Sequence, residues 1–242
     1  MAKEQVHGVF EEIASQYDAA NDRISFGMHR FWKAELEKVA ISTCHHVDGS
    51  AGLVLDVCCG TGDITEHIAR DNPGIFVTGI DFSDSMLEVC RERTADLENV
   101  ALVEGNALDL PFDDDTFDSA VISFGLRNTP DYKKVLSEMA RVVRPGGVVC
   151  CLDASVPENP AILPFYQFYY KYLMTLLGGG ITHHSEYEWL YDSTQQFLSK
   201  EELRDLFYEV GLKYVTVRSY LFGAAALHVG YVTKLTGAEP RA

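Results

Sequence analysis

Two spacings of apolar residues alternate along most of this chain. Short Val/Leu/Ile-rich runs at 53–57, 76–81, 100–105, 116–124 and 148–152 predict buried strands. Between them, apolar residues recur every three or four positions, which predicts amphipathic helices at 63–70, 84–97 and 129–143. Strand–helix alternation implies a parallel sheet. Asp63 and Ser83 stand where helix caps are needed, and Thr129-Pro130 offers a capping side chain with proline at the first helical position. Pro145-Gly146-Gly147 is expected to stop the helix that follows. Ser199-Lys200-Glu201-Glu202 is a capping box opening a last helix to about residue 210. Runs at 213–220 and 224–233, joined around Phe222-Gly223, predict an antiparallel pair. The sum is an α/β fold with a Rossmann-like sheet of seven strands, mostly parallel, ending in an antiparallel hairpin.

Two segments depart from the alternation. Residues 6–20 and 24–39 carry helical repeats ahead of the first strand and read as an N-terminal helical flap, with Tyr17, Asn21, His29 and Trp32 as its polar or aromatic members. Residues 160–192 hold nine aromatic side chains, of which Phe165, Tyr169 and Tyr172 share one helical face with Leu176, before Gly178-Gly179-Gly180 breaks the pattern. The expected organisation is one domain over 1–242: a flap at 1–45, a core at 50–155, and an aromatic lid at 160–195 inserted before the last helix and strand pair.

The first strand leads directly into Cys58-Cys59-Gly60-Thr61-Gly62-Asp63. Glycines at such a turn let a ligand approach the backbone, and the helix beyond presents unpaired N–H groups. A dinucleotide fingerprint would need a third glycine where Thr65 stands. Asp56, four residues before Gly60, instead completes the D-x-x-x-G-x-G pattern of S-adenosylmethionine (SAM) methyltransferases. Asp81 ends the second strand about 20 residues past the turn, the spacing of a carboxylate that receives ribose hydroxyls. The expected fold is thus a class I SAM-dependent methyltransferase. Ligands in such sheets lie at the carboxyl ends of the strands, which adds Asn106-Ala107 for adenine, Arg127 and Asn128 toward a methyl acceptor, and Asp153.

Composition narrows the partners. The 242 residues carry a formal net charge of −16 and are 47% hydrophobic. Such a surface repels nucleic-acid phosphate and disfavours electrostatic docking to anionic lipid. No apolar run reaches the ~20 residues of a spanning helix, and the N-terminus lacks a signal core, so a cytoplasmic protein is expected. Six cysteines at 44, 58, 59, 90, 150 and 151 form no C-x-x-C pair; they read as small core residues in a reducing compartment, with no metal site.

The chain resembles the ubiquinone/menaquinone biosynthesis C-methyltransferases. The likeness is carried by Val54 to Asp63, by Gly79-Ile80-Asp81-Phe82-Ser83 and by Phe124-Gly125-Leu126-Arg127-Asn128. It extends to Tyr17-Asp18 with Asn21, to Ser25-Phe26-Gly27-Met28-His29 with Trp32, and to the ending Ala226-Leu227-His228-Val229-Gly230. The resemblance implies SAM-dependent methylation of a ring carbon in a prenylated naphthoquinol or benzoquinol, demethylmenaquinol to menaquinol above all. It implies SAM contacts at Thr61, Asp81, Phe82, Asn106, Ala107 and Ser123, beside the turn residues Asp56, Gly60 and Gly62. The alternatives are a dual quinone enzyme, another small or lipid acceptor, and a non-catalytic SAM-binding regulator or assembly partner. The reading admits a homodimer and peripheral contact with the inner face of the cell membrane, through the aromatic segment. For the chemistry, Arg127 with Asn128 suits stabilisation of a quinolate oxygen, and His228, Tyr17 or Asp153 could accept the proton, His228 first because its unperturbed pKa is near ~6.5.

Overall fold

The structure is a computed structural model, and it describes residues 22, 25–44, 49–169 and 193–233. The 6–20 helix, Tyr17, Asn21 and most of the aromatic segment, residues 170–192, lie outside the described residues.

The elements follow the predicted order: α1 (Met28–Ile41), β1 (Gly52–Val57), α2 (Asp63–Asp71), β2 (Ile75–Asp81), α3 (Asp84–Arg93) and β3 (Val100–Glu104). After these come β4 (Phe117–Ser123), a short 3-10 turn (Leu126–Asn128), α4 (Tyr132–Val142), β5 (Val143–Ala154), α5 (Leu163–Phe168) and α6 (Lys200–Glu209). Strand β6 (Lys213–Tyr220), a 3-10 turn (Leu221–Gly223) and β7 (Ala225–Tyr231) close the chain. The seven strands form one sheet in the order β3-β2-β1-β4-β5-β7-β6. All pairings from β3 to β5 are parallel, and β7 pairs antiparallel with both β5 and β6. The order reverses direction between β1 and β4, so the ligand crevice of an open α/β sheet falls at their carboxyl ends.

Both faces of the sheet are covered. Trp32 and Leu36 of α1, with Ile64 and Ile68 of α2, pack on Val54, Val77, Val121 and Leu152. Leu136 and Met139 of α4, with Leu203 and Phe207 of α6, pack on Leu55, Ile122 and Cys151 of the other face. Strands buried this way read as continuous apolar runs, which is why the sequence marks them clearly.

Several expectations shift on meeting the structure. Helix α1, in the segment expected as a flap, buries Trp32, Lys33, Leu36 and Ala40 against the sheet and forms part of a core layer. The Trp32 ring stacks on Tyr220 at 5.7 Å between centroids. Thr129 does not cap α4, because its hydroxyl donates to Leu126 O at 2.8 Å to close the 3-10 turn. Asp131 caps instead, accepting from Lys134 N, and the helix begins at Tyr132. Asp63 does not cap α2 either: Gly62 holds that position, with no side-chain bond. Pro145-Gly146-Gly147 does not break β5. Gly146 N donates to Val232 O at 2.8 Å and Val232 N to Gly147 O at 3.0 Å, so the strand starts five residues early, with an irregular register against β4. Ser83 and the Ser199/Glu202 box cap as expected. Among the described residues, no helix is long and apolar enough to cross a membrane.

Candidate active site

The glycine turn follows β1 on the carboxyl edge of the sheet. Cys58 takes a positive φ of 55° and Gly60 one of 54°, so the chain reverses sharply over β2. Cys59 N donates to Ile80 O at 3.1 Å and Gly62 N to Cys59 O at 2.9 Å. The two glycines serve different ends. A Cβ on Gly60 would meet nothing within 4 Å, so open space lies beside the backbone there. A Cβ on Gly62 would sit 2.2 Å from Cys90 Sγ of α3, so Gly62 is required by packing. Gly62→Ala adds that overlap to a φ of 82°. It should lower unfolding free energy by about 2–4 kcal/mol in urea denaturation, and Gly62→Ala/Cys90→Ala should lose less than the sum of the two single variants.

Asp81 is held at the turn by backbone donors: Gly60 N reaches Oδ2 at 2.9 Å and Ser83 N reaches Oδ1 at 3.0 Å. Phe82 beside it is half-buried, and Thr61 is buried within the turn. Asp56 lies beneath the turn, 2% exposed, and accepts from Thr65 Oγ1 at 2.8 Å. Burial pushes the Asp56 carboxyl up to about 7, against the Thr65 hydrogen bond and the Lys33 charge. Asp56 therefore supports the turn from below. Thr65, which the sequence marks only as a missing glycine, is its partner. Lys33 of α1 reaches across to Asp63, Nζ to Oδ2 at 2.6 Å, and ties the first layer to the start of α2. Burial opposes ionisation of Asp63, yet Lys33, His67 and Arg93 hold its carboxyl below the usual value.

Beyond β3, Asn106 Oδ1 accepts from Leu108 N at 3.0 Å, which folds the corner of exposed Asn106 and half-buried Ala107 on itself. Beyond β4, the loop with Arg127 abuts the glycine turn: a Cβ on Gly125 would lie 2.7 Å from Cys58 Cβ. Arg127 is buried. Its Nη1 donates to Asp153 Oδ1 at 2.5 Å and to Phe124 O at 2.9 Å, and its backbone N donates to Asp153 Oδ2 at 3.2 Å. Asp153 is thus the partner that orients Arg127. Among the described residues, Ser123 Oγ and Asn128 Oδ1 are buried without a hydrogen-bond partner. Two orphan polar atoms flanking one loop mark a place where a ligand's groups are expected.

His228 stands elsewhere. It lies mid-strand in β7 opposite Cys151, two residues below the level of Asp153 on β5. It is 2% exposed, its Nε2–H donates to Lys200 O at 2.9 Å, and its ring packs near Phe207. Burial pushes its pKa down to about 4, against the Lys200 carbonyl bond. With its Nε2–H on the Lys200 carbonyl, the nitrogen left to accept a proton is Nδ1, which is buried without a hydrogen-bond partner.

The turn, the Asp81 carboxylate and the sheet order together define a class I methyltransferase. A complex of the Haloferax volcanii Trm112 methyltransferase activator with a putative methyltransferase superposes with TM-score 0.65 at 20% identity, covering 93% of this chain and 98% of that one. A Haemonchus contortus phosphoethanolamine N-methyltransferase in complex with S-adenosylhomocysteine gives 0.60 at 14% identity, over 83% and 54%. Residues 1–232 match the ubiE/COQ5 methyltransferase family, and the chain belongs to it. A demethylmenaquinone methyltransferase of Staphylococcus aureus is 47% identical over 235 residues, 96% of this chain and 95% of that relative. The chain is a SAM-dependent methyltransferase.

Proposed function

We propose that the chain methylates a ring carbon of demethylmenaquinol, with SAM as methyl donor. The observation that supports this best is the near full-length identity to a demethylmenaquinone methyltransferase, in a chain whose Arg127 loop abuts the glycine turn. The site suits SAM on structural grounds. Gly60 leaves open space at the turn, Asp81 presents a fixed carboxylate for ribose, and Ser123 Oγ is an unmatched polar atom at the end of β4. Gly60, Thr61 and Gly62 would hold its amino-acid end, Asp81 and Phe82 its ribose, and Asn106-Ala107 its adenine. Bound SAM supplies a methyl group on a positively charged sulfur.

The chain's own residues supply alignment and charge. A quinol carbon becomes nucleophilic when the neighbouring hydroxyl loses its proton, and a guanidinium stabilises the resulting oxygen anion. Arg127 is suited to this and not to taking the proton, since its pKa lies above ~12. Asp153 pins the guanidinium, so Arg127 is placed before the acceptor arrives. The unmatched Oδ1 of Asn128 can accept a hydrogen bond from the acceptor. With Asp153 engaged by Arg127, His228 through its unmatched Nδ1 and Tyr17 are the candidates to accept the proton. The acceptor's prenyl tail gains ~0.8 kcal/mol per buried CH₂, which gives the aromatic segment its role as an apolar wall. Peripheral contact with a membrane that stores such a tail, and a homodimer, belong to the same reading.

The test is methyl transfer from labelled SAM to chemically reduced demethylmenaquinol and to a demethylated ubiquinol precursor, with the product position read by mass spectrometry. Ring-carbon methylation of the first alone is expected. Methylation of both would make the chain a dual quinone enzyme, and methylation of neither, with SAM still bound, would overturn the acceptor.

A further inference from the structure

Six large apolar side chains stand in solvent at one edge of the molecule. Phe26 is 67% exposed, Phe165 76% and Phe222 75%, and Phe31, Phe168 and Leu221 are exposed beside them. They come from three separate segments, which the topology brings to the carboxyl edge of the sheet. Helix α1 begins at that edge, because its Lys33 meets Asp63 just past β1, while Thr43 Oγ1 at its far end donates to Asp118 O at the start of β4. Helix α5 follows β5 on the same edge. The Leu221–Gly223 turn closes β6, which runs in the direction of β5, so it too lies there. Contacts join the three: Phe31 meets Tyr220 edge-on at 6.5 Å, Phe26 meets Tyr169 at 6.2 Å, and Ser155 Oγ, just past β5, donates to Gly223 O at 2.5 Å.

Their backbone is as unusual as their exposure. Phe26, Leu221 and Phe222 have φ of 50°, 45° and 56°, in the left-handed region that glycine and asparagine tolerate best. An apolar residue there strains the backbone and also meets water. Neither folding nor solubility accounts for three such residues on one edge, and that edge carries the active site.

We infer that this edge is a docking surface for an uncharged phospholipid bilayer, seated by apolar insertion, through which the acceptor's tail enters. The inference rests on the proposed acceptor, whose tail resides in a bilayer. Charge selects the kind of surface: a chain of net charge −16 is repelled by anionic lipid, so insertion of phenylalanines into zwitterionic lipid carries the attachment.

The experiment is flotation of the full chain with dioleoylphosphatidylcholine vesicles at low and high salt. The wild type should float at both. Phe26→Asn/Phe222→Asn should reduce partitioning by about a hundredfold, roughly tenfold per phenylalanine, while its melting temperature holds or rises because asparagine suits both backbones. Tyr214→Asn, at the opposite edge where β6 begins, should float as the wild type does. Wild type left in the aqueous phase, or a double variant that floats equally well, overturns the surface. So does a wild-type dimer in light scattering that the double variant converts to monomer, since a second copy would then cover the patch. Methyl transfer to the prenylated demethylmenaquinol in detergent micelles, without any bilayer, separates this from the acceptor reading: transfer without flotation removes the surface alone, and flotation without transfer removes the acceptor alone.

Discussion

Arg127→Ala is expected to reduce methyl transfer by about 10²- to 10³-fold, the usual consequence of losing one fixed donor to a developing oxyanion. SAM affinity, measured by calorimetry, should hold, because the turn and Asp81 are built from other segments. The single variant carries a confounding effect that the structure makes explicit. Asp153 is buried with one oxygen on Arg127 Nη1 at 2.5 Å. Removing the guanidinium leaves that carboxylate uncompensated, and breaking a buried pair in this way costs about 3–5 kcal/mol. Arg127→Ala should therefore also melt early. Arg127→Ala/Asp153→Ala removes both charges and should recover most of the stability while recovering none of the turnover. If the double variant regained activity along with stability, Arg127 would be a folding residue and its role toward the acceptor would fall. Arg127→Lys is the finer probe. It keeps the charge but loses the planar guanidinium whose Nη1 bonds both Asp153 and Phe124 O, so kcat should drop while KM for SAM stays level.

What the sequence made legible was whatever a short window contains. The strand runs are short stretches of apolar sequence, the Ser83 cap and the Ser199/Glu202 capping box are encoded within four residues each, and the structure realises them. The glycine turn and Asp81 were legible because their spacing is itself the signal. Failures came where a partner lay far along the chain. Thr129-Pro130 is an exception: it resembles a helix start, but Leu126, only three residues back, claims the threonine hydroxyl in a 3-10 turn. The helix before Pro145-Gly146-Gly147 does stop, at Val142, but the strand begins earlier than its apolar run because residue 232 supplies hydrogen bonds to this segment. His228 stood out as a proton acceptor, but its Nε2–H bond to the Lys200 carbonyl, 28 residues away, was not visible. Arg127 and Asp153 were each visible as site residues, yet their pairing over 26 residues was not. The same holds for Lys33 and Asp63, 30 residues apart, which tie α1 to the start of α2.

Asp56→Asn is expected to be stabilising at neutral pH, by an amount that depends on pH in a defined direction. The Asp56 carboxyl has an ordinary value of 3.8 when unfolded and is pushed up to about 7 in the folded chain by burial, against Thr65 and Lys33 and with Asp81 and Asp63. Between those values the folded state holds a proton that the unfolded state has released. Stability therefore falls as pH rises through this window, by about 4 kcal/mol across its full width, and is level above it. Asparagine keeps an oxygen for the Thr65 hydroxyl and cannot titrate. The difference in unfolding free energy between variant and wild type should grow in favour of the variant from about pH 5.5 to about pH 8, by roughly 2 kcal/mol, the part of the window above pH 5.5. Starting near pH 5.5 avoids the sequence pI of about 4.8, where low net charge invites association. Groups that titrate equally in both proteins, such as His67 and Asp63, cancel in the difference. Urea denaturation at the two pH values decides the matter: a pH-independent difference would mean that Asp56 is not the titrating group under the turn. The stability given up by the wild type at neutral pH has a functional counterpart. A buried carboxylate beneath the turn favours a ligand that carries positive charge, as SAM does on its sulfur and amine, so Asp56→Asn should weaken SAM binding even as it strengthens the fold.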